Sequence, residues 1–425
     1  MGYSFADFAR DFGPTMLTFG WLLVVWMIMW IAWKTYLLLK MIDYVSAIEW
    51  TFYQVTLPEE SEETPRSMEV IFEVMGGMHK SPDFNEKYFD GYLEPWASFE
   101  IYCTQHSAKF VVVVPTAHRQ LFEGIIYAQY PKADIQEVED YTQRYNVEGL
   151  RTTFEMWGGD VVLTEDDILP IKTYREFEAN LAEEIPFVDP MQIIVEALTN
   201  VEPGEEFWVQ VLVRPVDGKR IKKWEQEGEQ RIAEISGQAK KAKPGMWENA
   251  QALMSALPGE FFRAIFSGPI VLEDKKEEKV LRFFNPVDDA KMKSILQKIS
   301  GNCYKTKIRI VHIAPVGQLK KPNIARGFGI FKQFAASHLN SFKPDGETKT
   351  NGPSFIMKDR RRYLRERNAF LNFQWRDFFG VDSGQMLNAE ELATIYHFPV
   401  KYVSAPGVAR AKSGHKNPPA NLPYA

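Results

Sequence analysis

The chain has 425 residues, with 50 Lys and Arg against 56 Asp and Glu for a formal net charge of −6, and it is 45% apolar and 25% charged. That balance excludes a disordered polymer and a body that coats nucleic acid over its whole surface, while leaving room for a local basic patch. Its only cysteines, Cys103 and Cys303, lie far apart and exclude a disulfide framework. The length accommodates roughly two domains of ordinary size.

The first element in chain order is apolar. After a short tail (residues 1–11), no Asp, Glu, Lys or Arg occurs from Phe12 to Trp33, and Leu37, Leu38 and Leu39 extend the run past Lys34. Residues 12–40 therefore predict a transmembrane helix, since twenty apolar residues of helix span about 30 Å. Trp21, Trp26, Trp30 and Trp33 carry rings suited to the membrane interface, and Lys34 can snorkel. A cleavable signal peptide would have a shorter core, basic residues ahead of it and an Ala-x-Ala exit. Here Asp7 and Asp11 precede a long core and no such exit follows, so a retained anchor is expected. Arg10 before the span against Lys34 and Lys40 after it puts the body in the cytoplasm by one charge.

Residues 48–150 read as a first α/β module. Trp50 to Leu57 has strand character. Thr64 and Pro65 open a helix that Gly76-Gly77 closes. Ser98 to Thr104 and Lys109 to Pro115 read as a hairpin, the second arm carrying four consecutive valines suited to a strand buried on both faces. A helix from Ala117 to Tyr130 and a strand from Ala133 to Glu139 complete the order strand, helix, strand, strand, helix, strand. That is the split βαβ of a ferredoxin-like α/β sandwich.

Residues 151–403 repeat that order less distinctly, giving an α+β chain of tandem ferredoxin-like modules behind one membrane helix. Strand material runs from Thr152 to Leu163 and helix from Met191 to Thr199. In the strand from Glu206 to Pro215, Phe207, Val209, Val211 and Val213 alternate with polar Gln210 and Arg214. An insert at 217–278 contains an apolar helical face (Trp247, Ala250, Leu253, Met254, Leu257) that suits either a hairpin packed on its own domain or an inner leaflet. Beyond it lie a helix at Asp288 to Ile299 and a strand at Lys305 to Pro315, with Ile308, Ile310 and His312 on one face. A helix from about Ile324 to Leu339 follows. Residues 404–425, rich in Pro, Gly and Ala, read as a flexible tail.

Motifs for chemistry are sparse. No phosphate-cradling Gly-x-x-x-x-Gly-Lys-Ser/Thr string occurs, Gly327-Phe328-Gly329 being only a fragment, and there is no Gly-x-Ser-x-Gly elbow. The seven histidines are scattered, and Cys103 with His106 lacks the second ligand pair that a zinc site needs. Carboxylate groups such as Glu137, Glu139 and Asp140 look like solvated turns. No enzyme activity, metal or cofactor is expected. One basic cluster stands out: Lys358, Arg360, Arg361, Arg362, Arg365 and Arg367, with Tyr363 inside it. Arg361 and Arg365 lie one helical turn apart and face together. Such a cluster suits nucleic acid or an acidic partner, or is a solvated helix face neutralised by Asp359 and Glu366.

Several strings carry a resemblance. They are Glu137-Val138-Glu139-Asp140-Tyr141-Thr142, Phe207-Trp208-Val209-Gln210 with Arg214-Pro215, Asn340-Ser341-Phe342, and Leu387-Asn388-Ala389-Glu390-Glu391-Leu392 running to His397-Phe398-Pro399. Together they resemble the membrane-anchored N-terminal region found ahead of conjugation-type (type IV secretion-like) ATPases in small-genome candidate-phyla bacteria. The chain stops at about the point where that family's RecA-like motor begins. The resemblance therefore implies an accessory platform without ATP hydrolysis, either the anchoring half of a split system or an ATPase-free paralogue. The expectation is a non-catalytic membrane scaffold docking a RecA-like secretion or DNA-translocation ATPase on the cytoplasmic face, possible as a homo-oligomer. The alternative is a membrane-attached nucleic-acid-binding module using residues 358–367.

Overall fold

An apolar sequence with no breaker after Gly20 gives one long helix, α1 (Phe5–Ser46). The computed structural model describes residues 5–58, 64–179, 189–237, 286–351, 356–379 and 383–399. At 1.5 Å per residue the 42 residues of α1 reach about 63 Å, more than a bilayer core requires. Part of the expected N-terminal tail is thus helical, and the helix continues beyond residue 40.

The elements that follow, in chain order, are β1 (Trp50–Thr56), α2 (Pro65–Met75), β2 (Ala97–Thr104), β3 (Ser107–Pro115), α3 (Arg119–Gln129) and β4 (Asp134–Glu137). Next come β5 (Phe154–Leu163), α4 (Tyr174–Ala179), α5 (Pro190–Thr199), β6 (Glu206–Pro215), α6 (Gly218–Ile235), α7 (Pro286–Ser300) and β7 (Cys303–Pro315). The last are α8 (Lys321–Gly329), β8 (Phe342–Pro344), α9 (Lys358–Gln374), β9 (Gln385–Asn388) and α10 (Ala389–Ile395).

The nine strands among the described residues form one antiparallel sheet in the order β4-β1-β3-β2-β6-β7-β5-β8, with β9 paired to β7. The first four strands and the last four of the path mirror one another about the β2–β6 seam, where Glu100 stands opposite Gln210. Along one edge of β7, β9 takes residues 303–306 and β5 takes 308–315, so β9 and β5 lie end to end. The Gln385 side chain closes that junction by accepting from Leu163 N at 2.7 Å.

The two faces of the sheet follow from side-chain alternation. On one face Phe99, Val112, Val209, Val211, Ile308 and Ile310 join a single apolar cluster with residues of α2, α3, α5 and α10 that spans both halves. Here α8 approaches so closely that a Cβ on Gly327 would sit 3.1 Å from Ile310 Cδ1 and from Phe207 Cε1, which accounts for the first glycine of the Gly-x-Gly fragment by packing, while Gly329 faces open space. The short α10, held by a capping box between Asn388 and Glu391, packs on α2, α4 and α5 and buries Leu392, Ile395, Tyr396 and Phe398. Each such side chain contributes roughly 1.5–3 kcal/mol of burial, so α10 binds the last segment of the second half to the first. The opposite face is apolar at one end, where Tyr102, Trp208, Met156 and Val311 meet Phe370 and Phe373 of α9, and polar in its middle.

The structure departs from the sequence reading at several places. The helix expected from Ile324 to Leu339 stops at Gly329 and tightens into a 3₁₀ turn, Ile330–Phe334. Strands β8 and β9 and helix α10 have no counterpart among the expected elements. Within the insert, α6 packs against α7, with Trp224, Ile295 and Ile299 in their shared cluster. The apolar face at Trp247 to Leu257 and the tail at 404–425 lie outside the described residues.

Candidate functional site

The expected anchor residues Trp21, Trp26, Trp30 and Trp33 all lie on the exposed surface of α1. From Gly20 to Ser46 the helix is long and apolar enough to cross a membrane, with a hydropathy of 1.9 and none of that stretch buried against protein. Those are properties of length and composition that an anchor shares with a signal sequence. Lys34 Nζ sits 5.8 Å from the Trp30 ring.

The basic cluster is carried by α9, and its cations separate by role. Arg362 Nε donates to Glu366 Oε1 at 2.8 Å, while Arg151, from the turn before β5, donates to Glu366 Oε2 at 2.7 Å. Glu366 is buried, so these two arginines neutralise a carboxylate at the helix–sheet contact. Arg365 does not stay beside Arg361 in solvent. It lines a cleft of about 160 Å³ together with Asp160, Arg309, Thr348 and Asn372, and its Nη1 is buried without a hydrogen-bond partner among the described residues. Lys358, Arg360, Arg361 and Arg367 remain exposed, as does Leu364 between them, with Trp375 at the C-terminal end of the helix. The expected patch therefore splits into an internal pair, one cleft-lining group and an exposed stripe.

Sequence reasoning missed the polar network beneath α9. Arg376 follows the helix in a left-handed conformation (φ 51°) that points its guanidinium into the sheet. It binds Glu100 through Nε–Oε1 (2.9 Å) and Nη2–Oε2 (3.2 Å), and Asp140 through Nη1–Oδ2 and Nη2–Oδ1 (both 2.9 Å). Ser98, Tyr141 and Gln210 also donate to Glu100. Across the seam, Arg309 donates to Gln210 Oε1 at 3.1 Å and to Asp160 Oδ1 at 3.2 Å. A continuous chain of charges and amides thus crosses both halves of the sheet. Burial pushes the Asp140 carboxyl up, but the Arg376 hydrogen bonds and charge outweigh it and hold it below the usual carboxylate range. For Asp160 burial dominates the Arg309 charge and the carboxyl is raised. Asp140 also caps its turn by accepting from Thr142 N, so the turn is there, but the carboxyl expected to be solvated is held against Arg376.

Three further ionisable pairs are buried. Lys298 Nζ lies 3.1 Å from both oxygens of Glu391, joining α7 to α10. His397 is occupied on both ring nitrogens, by Asp189 Oδ1 at 2.7 Å and Ala393 O at 2.8 Å. His312 stacks on Phe207 with ring centroids 4.3 Å apart, and its Nε2 is 3.8 Å from Glu205 Oε2, beyond hydrogen-bond reach. Burial first, and then the Arg326 charge, lower His312 to about 4, so it is neutral at physiological pH. Among the described residues no group of three or more His, Cys, Asp or Glu is placed to hold a metal ion. Cys103 is buried in β2, and burial pushes its thiol up.

No curated protein matches the chain. A family model, described as a domain of unknown function (DUF8128), matches residues 68–410. The match begins within α2 and runs past α10, taking in β2 to β9, the Arg376 network and the basic helix while leaving α1 and β1 outside. On the extent of that match, the chain belongs to the DUF8128 family.

Proposed function

We propose that the protein is a single-pass membrane scaffold whose body lies in the cytoplasm and docks a secretion or DNA-translocation ATPase. The observation that carries this reading is the exposed apolar surface of α1 attached to a body in which several buried ionisable groups are bound to one another. Arg376 with Glu100 and Asp140, Lys298 with Glu391, and His397 with Asp189 are arrangements that hold elements of the body together. Two ferredoxin-like modules joined edge to edge describe the body economically. Their support is the strand order β4-β1-β3-β2 mirrored by β8-β5-β7-β6, with helices after the first and third strand of each set.

The partner is suggested by the resemblance of short strings, and their positions matter. Leu387, Leu392, His397 and Phe398 are buried, so this segment holds the body together and docking falls to the exposed surface. Co-purification from mild-detergent membranes with a tag after Ala425, read by mass spectrometry, tests the reading. A RecA-like ATPase in fixed ratio is the expected result, and recovery of the protein alone would count against it.

A second reading is favoured by one observation, the exposed stripe of Arg360, Arg361 and Arg367 with Trp375 at the end of the same helix. Arginines beside an exposed ring can hold phosphates and stack on a base. Single-stranded DNA binding that is salt-sensitive and lost in R360A/R361A/R367A would support it; binding indifferent to these changes would end it.

A further inference from the structure

We propose that the loop segment at residues 83–90, which winds into a π-helical turn over Glu86–Asp90, is a second membrane contact, inserting its aromatic side chains into the headgroup–acyl boundary beside the point where α1 leaves the bilayer. The inference rests on reading α1 as membrane-spanning. It begins with how the loop is held. Gly91 has a φ of 73°, and a Cβ there would come within 2.3 Å of the Lys40 carbonyl carbon, so the loop backbone is pressed directly onto α1. On either side, Tyr92 packs on Tyr44 (ring centroids 5.3 Å apart) and Tyr88 stacks on Trp33 (6.4 Å, 25° between planes).

Tyr44 to Trp33 is a climb of about 16 Å along the helix axis at 1.5 Å per residue. The loop therefore rises beside α1 from the body to the end of the charge-free stretch, the level at which Trp and Tyr form interfacial belts. At that level it presents Phe84 and Phe89, which are 70% and 51% exposed, clustered with Tyr88 at 4.7 Å and 6.4 Å from Phe84 to its two neighbours. None of these three rings belongs to a core cluster of the body, whereas Leu93 and Trp96, just past the loop, are buried. Lys87 lies exposed with its Nζ 5.6 Å from the Tyr88 ring, and Lys40 is on the adjoining turn of α1; Asp83, Glu86 and Asp90 stand in the same segment, Glu86 paired with Lys80, so the rings and not the net charge make this surface suit a membrane. The occupant this surface fits is lipid, because it continues the lipid-facing surface of α1.

Cysteine scanning of the full-length protein in vesicles of phosphatidylcholine and phosphatidylglycerol tests this, since Cys103 and Cys303 are buried and an introduced thiol is labelled selectively. Phe84→Cys, Phe89→Cys, Trp30→Cys and, on the exposed side of α7, Leu296→Cys would each carry a nitrobenzoxadiazole probe. Quenching is then compared for lipids bearing a doxyl group near the headgroup or near the chain end. The proposal expects blue-shifted emission at 84 and 89, quenched several-fold more by the shallow group than by the deep one, with 296 unquenched. Position 30 quenched while 84 and 89 behave as 296 does would overturn the loop's insertion and leave the anchor standing. All positions unquenched would overturn the anchor reading and the loop proposal together.

Discussion

Arg376 and Glu100, 276 positions apart, meet through two hydrogen bonds, Nε to Oε1 at 2.9 Å and Nη2 to Oε2 at 3.2 Å. Glu100 lies on the strand that joins the two halves of the sheet, and Arg376 belongs to the segment that covers the polar face. The contact also fixes Trp96, whose indole nitrogen donates to the Arg376 carbonyl. Replacing Arg376 with Ala leaves two carboxylates, Glu100 and Asp140, without their cation. Breaking such a buried pair costs roughly 3–5 kcal/mol, so R376A in detergent is expected to melt well below the parent. Adding Glu100→Gln should recover part of the loss, and equal melting temperatures for parent and R376A would contradict the assignment.

Lys298 and Glu391 form the second test. Lys298→Met strands a carboxylate that also accepts from Ile171 N and Asn388 N, and is expected to cost stability in the same range of roughly 3–5 kcal/mol, read as a lower urea midpoint. The double variant K298M/E391Q removes the charge but keeps only one of the two backbone N–H bonds, because a Gln side chain has a single accepting oxygen, so part of the loss should return. A double variant no better than K298M would mean the ion pair is not what holds α10.

His312 makes stability depend on pH in a definite direction. Its folded pKa of about 4 lies below the ordinary 6.5, so as pH falls the unfolded state takes up the proton first. The contribution is fully present above the unfolded value and is lost as pH drops through the folded one, up to about 3 kcal/mol over that window. His312→Phe keeps the stacking on Phe207 and removes this titration, so the variant's stability should exceed the parent's increasingly from pH 6.5 downward. Parallel pH curves for the two proteins would contradict the burial of a neutral imidazole.

The arginines of α9 should divide by role. Arg151→Ala with Arg362→Ala leaves Glu366 buried and unpaired and is expected to destabilise the fold by a few kcal/mol, whereas R360A/R367A should stay within about 0.5 kcal/mol of the parent. Denaturation of the two double variants side by side checks the division, and equal losses would refute it.

Gly91 couples the body to α1. Gly91→Val adds a strained left-handed residue, about 1–2 kcal/mol, and a collision with the Lys40 backbone. Limited proteolysis in detergent should open residues 79–92 in the variant while the body stays intact, and an unchanged digestion pattern would speak against the contact.

Much of this architecture was legible because alternation is local. Phe207, Val209 and Val211 against Gln210 and Arg214 announced a strand with one apolar face, and Val111 to Val114 a strand covered on both. The three-residue β8 and four-residue β9 are too short to show a period, and α10 is a seven-residue helix whose sequence drew notice only as a string. The polar network was hidden for a different reason: Glu100, Asp140 and Arg376 are ordinary charges one at a time. A carboxylate between Phe99 and Ile101 in a buried strand was the one available signal, since an unpaired charge there would be costly. The basic cluster was visible, but which arginines turn inward depends on Glu366 meeting Arg151, a contact across 215 positions.

The measurement that bears most directly on the scaffold reading is alkaline carbonate extraction of membranes containing the full chain, with the mass of the recovered protein determined. A membrane anchor predicts that the protein stays in the pellet at the full mass of 425 residues. Release into the supernatant as a shorter chain beginning after the apolar stretch would mark residues 12–40 as a cleaved leader and contradict the account.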